Sequence, residues 1–213
     1  MLNNADYNVH GKEFTINYQN KIFRGNSLYK TASGYISLEV TEENNPTILR
    51  FYGEKANFEK EEIVNKVINL SFSENKKWFI FSTGENLIVK NVTNSNEKKY
   101  PLSFAFAVDN NGNPSYYLND EKRLVFNKME YSLLEEPIKI EIINNLFVFS
   151  EKSLFLIENN NISKIQAFEG NFFDSNVVDR DLFFSTKVAN SLSNKINFFI
   201  TRLSNKYFIA KKQ

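Results

Sequence analysis

The chain has 213 residues, no cysteine and one histidine, and its formal net charge is +1. These counts exclude disulfides, thiolate nucleophiles and cysteine metal sites, and they argue against a Ser-His-Asp relay and against a polyanion-binding field. With 42% hydrophobic and 15% aromatic residues, the chain is too apolar to be disordered and long enough to bury a sizeable core.

Short apolar runs, rich in Phe, Tyr, Ile and Val, alternate with polar segments along the whole chain. Runs of this length and composition, spaced by about 8 to 12 residues, are typical of strands in an all-β fold. The predicted strands are, in chain order, Glu13–Tyr18, Tyr35–Val40, Thr47–Tyr52, Val67–Ser73, Trp78–Ser82, Leu87–Val92, Leu102–Val108, Ser115–Leu118, Arg123–Asn127, Ile138–Ile143, Leu146–Ser150, Leu154–Glu158, Ile162–Phe168, Asp181–Thr186, Ile196–Thr201 and Lys206–Ala210.

Two segments also fit helical spacing. Asn57–Ile68 begins with a capping residue and an acidic first turn, which predicts a short helix. The apolar residues of Val188–Leu203 fit either a helix or a hairpin that turns at Asn190–Asn194, and the density of aromatic residues favours the hairpin.

An internal repeat is the strongest signal in the sequence. The pattern of strand, polar turn, strand, polar turn and strand in Leu70–Val92 returns in Phe106–Phe126 and in Ile142–Ile157. The three copies follow at intervals of about 31 to 38 residues, and Trp78, Tyr116 and Phe147 take equivalent places in their middle strands. Fainter copies around 16–23 and 178–185 bring the expected number of units to about five.

The segment Leu70–Val92 resembles one blade of a WD-type β-propeller, and the resemblance extends loosely over 70–185. The Trp-Asp position of that family is occupied by Asn91-Val92. The resemblance implies small antiparallel sheets that cover one another, because a single sheet of three or four strands cannot bury both of its faces.

We therefore expect an all-β fold of repeated antiparallel three- or four-stranded units, with at most one or two short helices. A propeller-like array is favoured, and a β-sandwich or barrel is the alternative. One domain over 1–213 is expected, with a possible sub-boundary near 57–66.

No set of residues selects a catalytic or metal site. His10 has no identifiable orienting partner, and Asp109–Asn113 fits a hairpin turn better than a calcium loop. The carboxylates that a glycan hydrolase could use show no spacing that selects a pair; they are Glu43, Glu61, Glu62, Asp109, Asp120, Glu135, Glu136, Asp179 and Asp181. No cofactor is expected.

Short lysine clusters at 76–77, 98–99 and 211–212 are compensated by neighbouring glutamates, which argues against a nucleic-acid track. Lys76–Phe79 and Asn205–Phe208 interleave aromatic rings with lysine, a pattern that could stack on bases, although strand alternation also explains the rings as core.

Three pairs of adjacent phenylalanines are the candidate partner-binding residues. Neighbouring residues of a strand point to opposite faces, so one ring of each pair needs a second sheet or a partner to cover it. The pairs are Phe172-Phe173, Phe183-Phe184 and Phe198-Phe199.

These observations favour a non-enzymatic protein–protein interaction or scaffold module, a subunit of a larger assembly that contacts its partner through Phe168–Phe208. A phage or virion tail protein, or another structural protein, is one alternative, and a carboxylate-dependent glycan hydrolase is another. The chain shows no signal peptide and no apolar run long enough to span a membrane, so a cytoplasmic or virion location is expected.

Overall fold

The computed structural model describes residues 5–10, 13–40, 46–94, 96–168, 170–178, 181–190 and 193–201. Within these ranges the chain forms 22 β-strands and no helix. The strands make six small antiparallel sheets, each built from strands that follow one another in the sequence. The all-β class and the repeated antiparallel units predicted from the sequence are confirmed.

The first three sheets cover the N-terminal half. Sheet 1 contains β1 (Asp6–His10), β2 (Glu13–Tyr18) and β3 (Lys21–Arg24). Sheet 2 contains β4 (Ser27–Lys30), β5 (Gly34–Glu39), β6 (Thr47–Gly53) and β7 (Phe58–Val64). Sheet 3 contains β8 (Asn69–Phe72), β9 (Trp78–Ser82), β10 (Asn86–Asn91) and β11 (Glu97–Pro101).

The other three sheets follow in the same manner. Sheet 4 contains β12 (Phe106–Val108), β13 (Pro114–Leu118), β14 (Arg123–Phe126) and β15 (Met129–Ser132). Sheet 5 contains β16 (Pro137–Ile143), β17 (Asn145–Ser150), β18 (Ser153–Glu158) and β19 (Asn161–Ala167). Sheet 6 contains β20 (Asn171–Val178), β21 (Asp181–Asn190) and β22 (Ser193–Thr201).

Asparagine makes many of the tight turns, as its abundance suggests. Three hairpins turn through two residues that both have positive φ, which is the type I′ geometry that matches strand twist. These turns are Gln19-Asn20, Asn127-Lys128 and Asn159-Asn160. Asparagine tolerates the left-handed region better than other non-glycine residues, so a glycine-poor chain can still reverse direction here.

The chain divides into two compact units, which are described separately. The N-terminal unit comprises Met1–Phe104 and Val108–Pro114, so it includes the tip of the first hairpin of sheet 4. One apolar cluster packs sheet 1 against sheet 2 and a second packs sheet 2 against sheet 3. The first contains Ile16, Phe23, Leu28, Tyr35 and Tyr52. The second contains Ile36, Leu38, Leu49, Phe51, Val67, Phe79, Phe81, Ile88 and Val92.

The C-terminal unit comprises Ala105–Ala107 and Ser115–Gln213. Its two clusters lie between sheets 4 and 5 and between sheets 5 and 6. The first contains Ala105, Ala107, Tyr117, Leu124, Tyr131, Leu133, Ile140, Leu146, Val148, Phe155 and Ile157. The second contains Ile143, Phe147, Phe149, Leu154, Leu156, Phe168, Leu182 and Phe184. The single domain predicted over 1–213, with its possible sub-boundary near 57–66, stays a prediction.

The helix predicted over Asn57–Ile68 is wrong. Residues Phe58–Val64 form β7, which pairs with β6 from Thr47↔Val64 to Tyr52↔Phe58. Cross-strand pairing and ion pairs of the acidic residues outweigh the local capping signal. The C-terminal hairpin is confirmed, because β21 and β22 pair antiparallel up to Asn190↔Ser193. The predicted strand Lys206–Ala210 lies outside the described residues.

The repeat is confirmed at the level of strands, because Trp78, Tyr116 and Phe147 lie on the second strands of sheets 3, 4 and 5. Their side chains are not equivalent: Phe147 is fully buried in a cluster, whereas Trp78 and Tyr116 are half-buried. The expected number of about five units is too low, since the described residues form six sheets. Sheet 2 was missed as a unit because its fourth strand is polar and exposed and resembled a helix.

Candidate interaction surface

The six candidate phenylalanines divide into buried and exposed residues. Phe184 is buried and Phe172 is partly buried, and both pack against Phe149, with ring centroids 5.5 Å and 4.7 Å apart. The sheet 5–sheet 6 cluster therefore covers these two rings without a partner. Phe183 is half-buried and Phe173 is exposed. Phe198 and Phe199 lie on β22, opposite Ser185 and Phe184 in the register, and their side chains lie outside the described part.

Exposed apolar side chains recur at one position of the repeat. In sheets 3 to 6, one such residue lies within two residues of the start of the first strand, and successive copies are about 35 residues apart. The four are Ile68, Phe104, Ile138 and Phe173, exposed by 48%, 52%, 51% and 57%. The sequence predictions placed the first three in an ordinary helix face or strand.

The strand register supports this equivalence in three of the sheets. Asn69 lies opposite Ser82, Lys139 opposite Phe149 and Asp174 opposite Ser185, and each of these partners lies on the second strand of its sheet. Each of the three is directly preceded by one of the exposed apolar residues. The recurrence therefore follows the repeat and is not a scatter of surface residues.

In the C-terminal unit, two β-bulges present Ile138 and Phe173. In the pairing of β16 with β17, Pro137 and Lys139 have successive partners and the residue between them has none. In the pairing of β20 with β21, the same holds for Phe172 and Asp174. Ile138 and Phe173 are the extra residues in these shifts. A bulge re-aims the side chain of its extra residue, and bulges are over-represented next to functional sites.

Lys139 joins the two bulges. Its Nζ donates to the carbonyl oxygen of Ser175 at 2.6 Å and to Oδ1 of Asp174 at 3.2 Å, and it lies 3.3 Å from Oε1 of Glu141. Because Lys139 follows Ile138 and Asp174 follows Phe173, these contacts hold the two bulges at neighbouring places on sheets 5 and 6. Leu134, exposed by 83%, lies in the loop that leads into β16.

Polar contacts order the loops around this surface. The Ser150 hydroxyl donates to Glu135 at 2.6 Å, and Lys164 donates to the other carboxylate oxygen at 2.9 Å. The Ser150 hydrogen bond, with help from Lys164, holds the pKa of Glu135 below its ordinary value, although burial acts in the opposite direction. Asn171 bonds with both Glu151 and Lys152, which ties the β17–β18 turn to the start of β20.

We name this set of residues, Leu134, Ile138 and Phe173 with the loops at 135–136 and 151–152, the bulge surface. It combines exposed apolar groups with ordered polar residues, as the centre and rim of protein interfaces do.

Five of the nine carboxylates considered for hydrolysis make structural contacts, and Glu135 has been described above. Glu61 pairs with Arg50, Glu62 with Lys60 and Lys90, and Glu136 accepts from the Asn119 amide. Asp109 accepts from the backbone N–H groups of Asn111 and Asn113, which makes the predicted hairpin turn. Asp120 is exposed, and Glu43, Asp179 and the side chain of Asp181 lie outside the described part.

The remaining candidates are not brought together into a site by the described residues. His10 lies on β1 opposite Glu13 in the register. Phe79 is fully buried, and Gly112 lies against the half-buried indole of Trp78, so Lys76–Phe79 does not present two exposed rings for stacking. Among the residues described, no three His, Asp or Glu side chains are grouped so that they could hold a metal ion. No helix in that part of the chain is long and apolar enough to cross a membrane.

No family model matches the chain, and no curated protein matches its sequence at a significant level. Solved structures do match its fold. NirN, a dihydro-heme d1 dehydrogenase solved in complex with DHE, superposes with a TM-score of 0.58 at 13% identity, over 94% of this chain and 51% of its own. This chain therefore spans about half the length of NirN.

Two Hsv2 proteins are also similar in fold. Hsv2 of Kluyveromyces marxianus has a TM-score of 0.54 at 11% identity over 91% of this chain and 71% of its own. Hsv2p of Kluyveromyces lactis has a TM-score of 0.50 at 10% identity over 93% of this chain and 71% of its own. These are propeller-type structures, and the fold class is propeller-like, as the resemblance of Leu70–Val92 implied. Identities this low show the fold alone.

Proposed function

We propose that the chain is a non-enzymatic protein–protein interaction module, a subunit of a larger assembly, located in the cytoplasm or in a virion. The observation that carries the proposal is the recurrence of exposed apolar side chains at the same repeat position in four successive sheets. Scattered single exposed apolar residues are normal on protein surfaces, but a set that follows the repeat is not scattered.

The clusters between the sheets support this reading because they are complete without the exposed residues. Ile138 and Phe173 belong to neither cluster of the C-terminal unit. Their exposure to water therefore serves no packing purpose. Large apolar side chains that become buried in a partner are the residues that contribute most to binding free energy.

We therefore propose only some of the six candidate phenylalanines as partner contacts. Phe173 remains a proposed contact residue, and the half-buried Phe183 remains a second one. Phe172 and Phe184 act in the core. Phe198 and Phe199 stay predictions, and so does the wider contact region Phe168–Phe208.

A co-purification experiment tests the proposal. The full chain carries an affinity tag and is expressed in the cells from which the sequence comes, and the recovered proteins are quantified by mass spectrometry. We expect a specific partner whose recovery falls at least about tenfold in the double variant Ile138→Ser/Phe173→Ser, since replacing interface anchors typically costs more than 1 kcal/mol each.

The matched control is Ile22→Ser/Ile63→Ser, which removes two exposed apolar side chains at other places on the surface. It should retain the partner. Equal loss in both variants, or the absence of any specific partner, contradicts the proposal. If the chain hydrolyses a glycan and substitution of a carboxylate abolishes this activity, the hydrolase alternative replaces the proposal.

A further inference from the structure

Charged groups surround the bulge surface, and they carry an excess of negative charge. Among the described residues, five carboxylates and two ammonium groups lie on the strands that bear Ile138 and Phe173 and on the loops next to them, and a third ammonium group reaches one of these carboxylates from β19. The carboxylates are Glu135, Glu136, Glu141, Glu151 and Asp174, and the ammonium groups are Lys139, Lys152 and Lys164.

All three ammonium groups are already bound. Lys139 contacts Asp174, Glu141 and the Ser175 carbonyl, Lys164 contacts Glu135, and Lys152 donates to Asn171. The uncompensated charge therefore resides on carboxylates. Glu136 and Glu151 bond only with the neutral amides of Asn119 and Asn171 in the contacts described.

We infer that the bulge surface binds an apolar peptide segment of a protein partner that carries lysine or arginine beside its apolar side chains. This inference rests on the proposed function and gives the chemistry of the partner. Ile138 and Phe173 receive the apolar side chains, and Glu136 and Glu151 attract the basic ones. Complementary charge at the rim of an interface sets which partner is accepted and how fast it associates.

The negative charge also excludes other partners. A segment with acidic residues beside the same apolar core meets like charge, and the phosphates of a nucleic acid meet it too. Selection of the partner therefore includes a repulsive component.

The test uses the full chain and three fluorescein-labelled peptides, whose binding is measured by fluorescence anisotropy at low and high salt. One peptide has a Leu-Phe-Leu core flanked by lysines, the second has the same core flanked by glutamates, and the third has a Gly-Ser-Gly core flanked by lysines. We expect the first to bind at least about tenfold more tightly than the other two, with a preference over the second that shrinks at high salt because ions screen exposed charges.

Variants separate the two components of binding. Ile138→Ser/Phe173→Ser should lower the affinity for the first peptide at least about tenfold, whereas Ile22→Ser/Ile63→Ser should bind it like the wild type. Glu136→Gln/Glu151→Gln retains the apolar residues and should lose the preference for lysine over glutamate flanks. Circular dichroism and thermal melting establish that each variant is folded.

Three outcomes would overturn the inference. Equal binding of the lysine- and glutamate-flanked peptides removes the charge requirement, and equal binding of the Gly-Ser-Gly peptide removes the apolar one. If no peptide binds, while the partner recovered by co-purification is still lost in Ile138→Ser/Phe173→Ser, the inference about the peptide fails and the proposed function stands. If no peptide binds and the partner is not lost in Ile138→Ser/Phe173→Ser either, the proposed function fails as well.

Discussion

Gly112 occupies a place where no other residue fits. Its φ is +82°, and a Cβ there would lie 2.6 Å from the Trp78 ring. The hairpin tip that carries it is held to the β8–β9 turn by Asn75, whose N–H donates to Oδ1 of Asn110 at 2.8 Å and whose amide donates to the Asn110 carbonyl at 3.1 Å. A glycine therefore permits the hairpin tip, which belongs to the same N-terminal unit as Trp78, to approach the indole closely.

Gly112→Ala should destabilise the chain by at least about 2 kcal/mol, because it combines backbone strain with a steric overlap. The free energy of unfolding in urea, followed by circular dichroism, measures the loss. Gly84→Ala is the matched control, since Gly84 has φ +83° but its Cβ would meet only Ile68 Cδ1, at 3.6 Å. It should lose about 1 kcal/mol from backbone strain alone, and equal losses in the two variants would contradict the packing argument.

At the scale of elements, ion pairs join the mostly polar outer strand β7 to its neighbours, while Val64 at its end packs against the apolar cluster between sheets 2 and 3. Glu62 on β7 bonds with Lys60 and with Lys90 on β10, and the nearly buried Lys90 also lies 3.2 Å from Glu97. Burial alone would raise the pKa of Glu62, but the hydrogen bonds from Lys60 and Lys90 outweigh it and hold the pKa below the ordinary value. The pair Glu62–Lys90 therefore joins sheet 2 to sheet 3.

The stability that Glu62 contributes should depend on pH in a defined direction. Its pKa is lower in the folded than in the unfolded chain, so the contribution is complete above the unfolded pKa and is lost as pH falls through the folded pKa. Glu62→Gln should cost about 1 to 3 kcal/mol at neutral pH because Lys90 loses a charged partner. In urea titrations, the difference in free energy of unfolding between Glu62→Gln and the wild type should become smaller as the solution becomes more acidic.

Glu130→Gln is the control for this series. Glu130 pairs with Arg123 at an exposed site, so its substitution should change stability by less than about 1 kcal/mol at any pH. A gap for Glu62→Gln that is constant with pH would contradict the assigned role.

The same outer strands explain what the sequence could and could not predict. Inner strands such as β9 and β17 are apolar runs, and they were predicted almost to the residue. The outer strands β7 and β11 carry mostly charged residues, so β7 resembled a capped helix and β11 was missed. Their ion pairs involve residues of other strands, such as Arg50 on β6 and Lys90 on β10, which a local sequence pattern does not reveal.

The bulge surface was only partly predictable for a related reason. Phe173 was named among the candidates because two adjacent rings cannot share one face. Ile138 was predicted only as the first residue of the strand Ile138–Ile143, since its exposure follows from a register shift that alternation does not reveal. The spacing of about 35 residues between Ile68, Phe104, Ile138 and Phe173 was the available signal.

For the whole molecule, the prediction of one domain can be tested with a built-in reporter. Trp78 is the only tryptophan and belongs to the N-terminal unit, whereas Phe149 is fully buried in the C-terminal unit. If 1–213 unfolds as one cooperative domain, Phe149→Ala should lower the urea midpoint of Trp78 fluorescence, with a cost of about 3 to 5 kcal/mol. The far-UV circular dichroism midpoint should fall together with it.

Phe173→Ala serves as the comparison, because an exposed ring contributes little to folding and should shift stability by less than about 0.5 kcal/mol. A Trp78 transition that stays in place while the circular dichroism transition moves or splits would indicate two domains that unfold independently.

The exposed residues of the bulge surface stand apart from the clusters that hold the sheets together. A mutation at Ile138 or Phe173 can therefore change what the molecule recognises and leave its folding intact. Substitutions at these positions can therefore create new protein contacts at little cost in folding free energy. Duplication of the repeat would supply each new copy with a further such position, already displayed and not yet committed to any ligand.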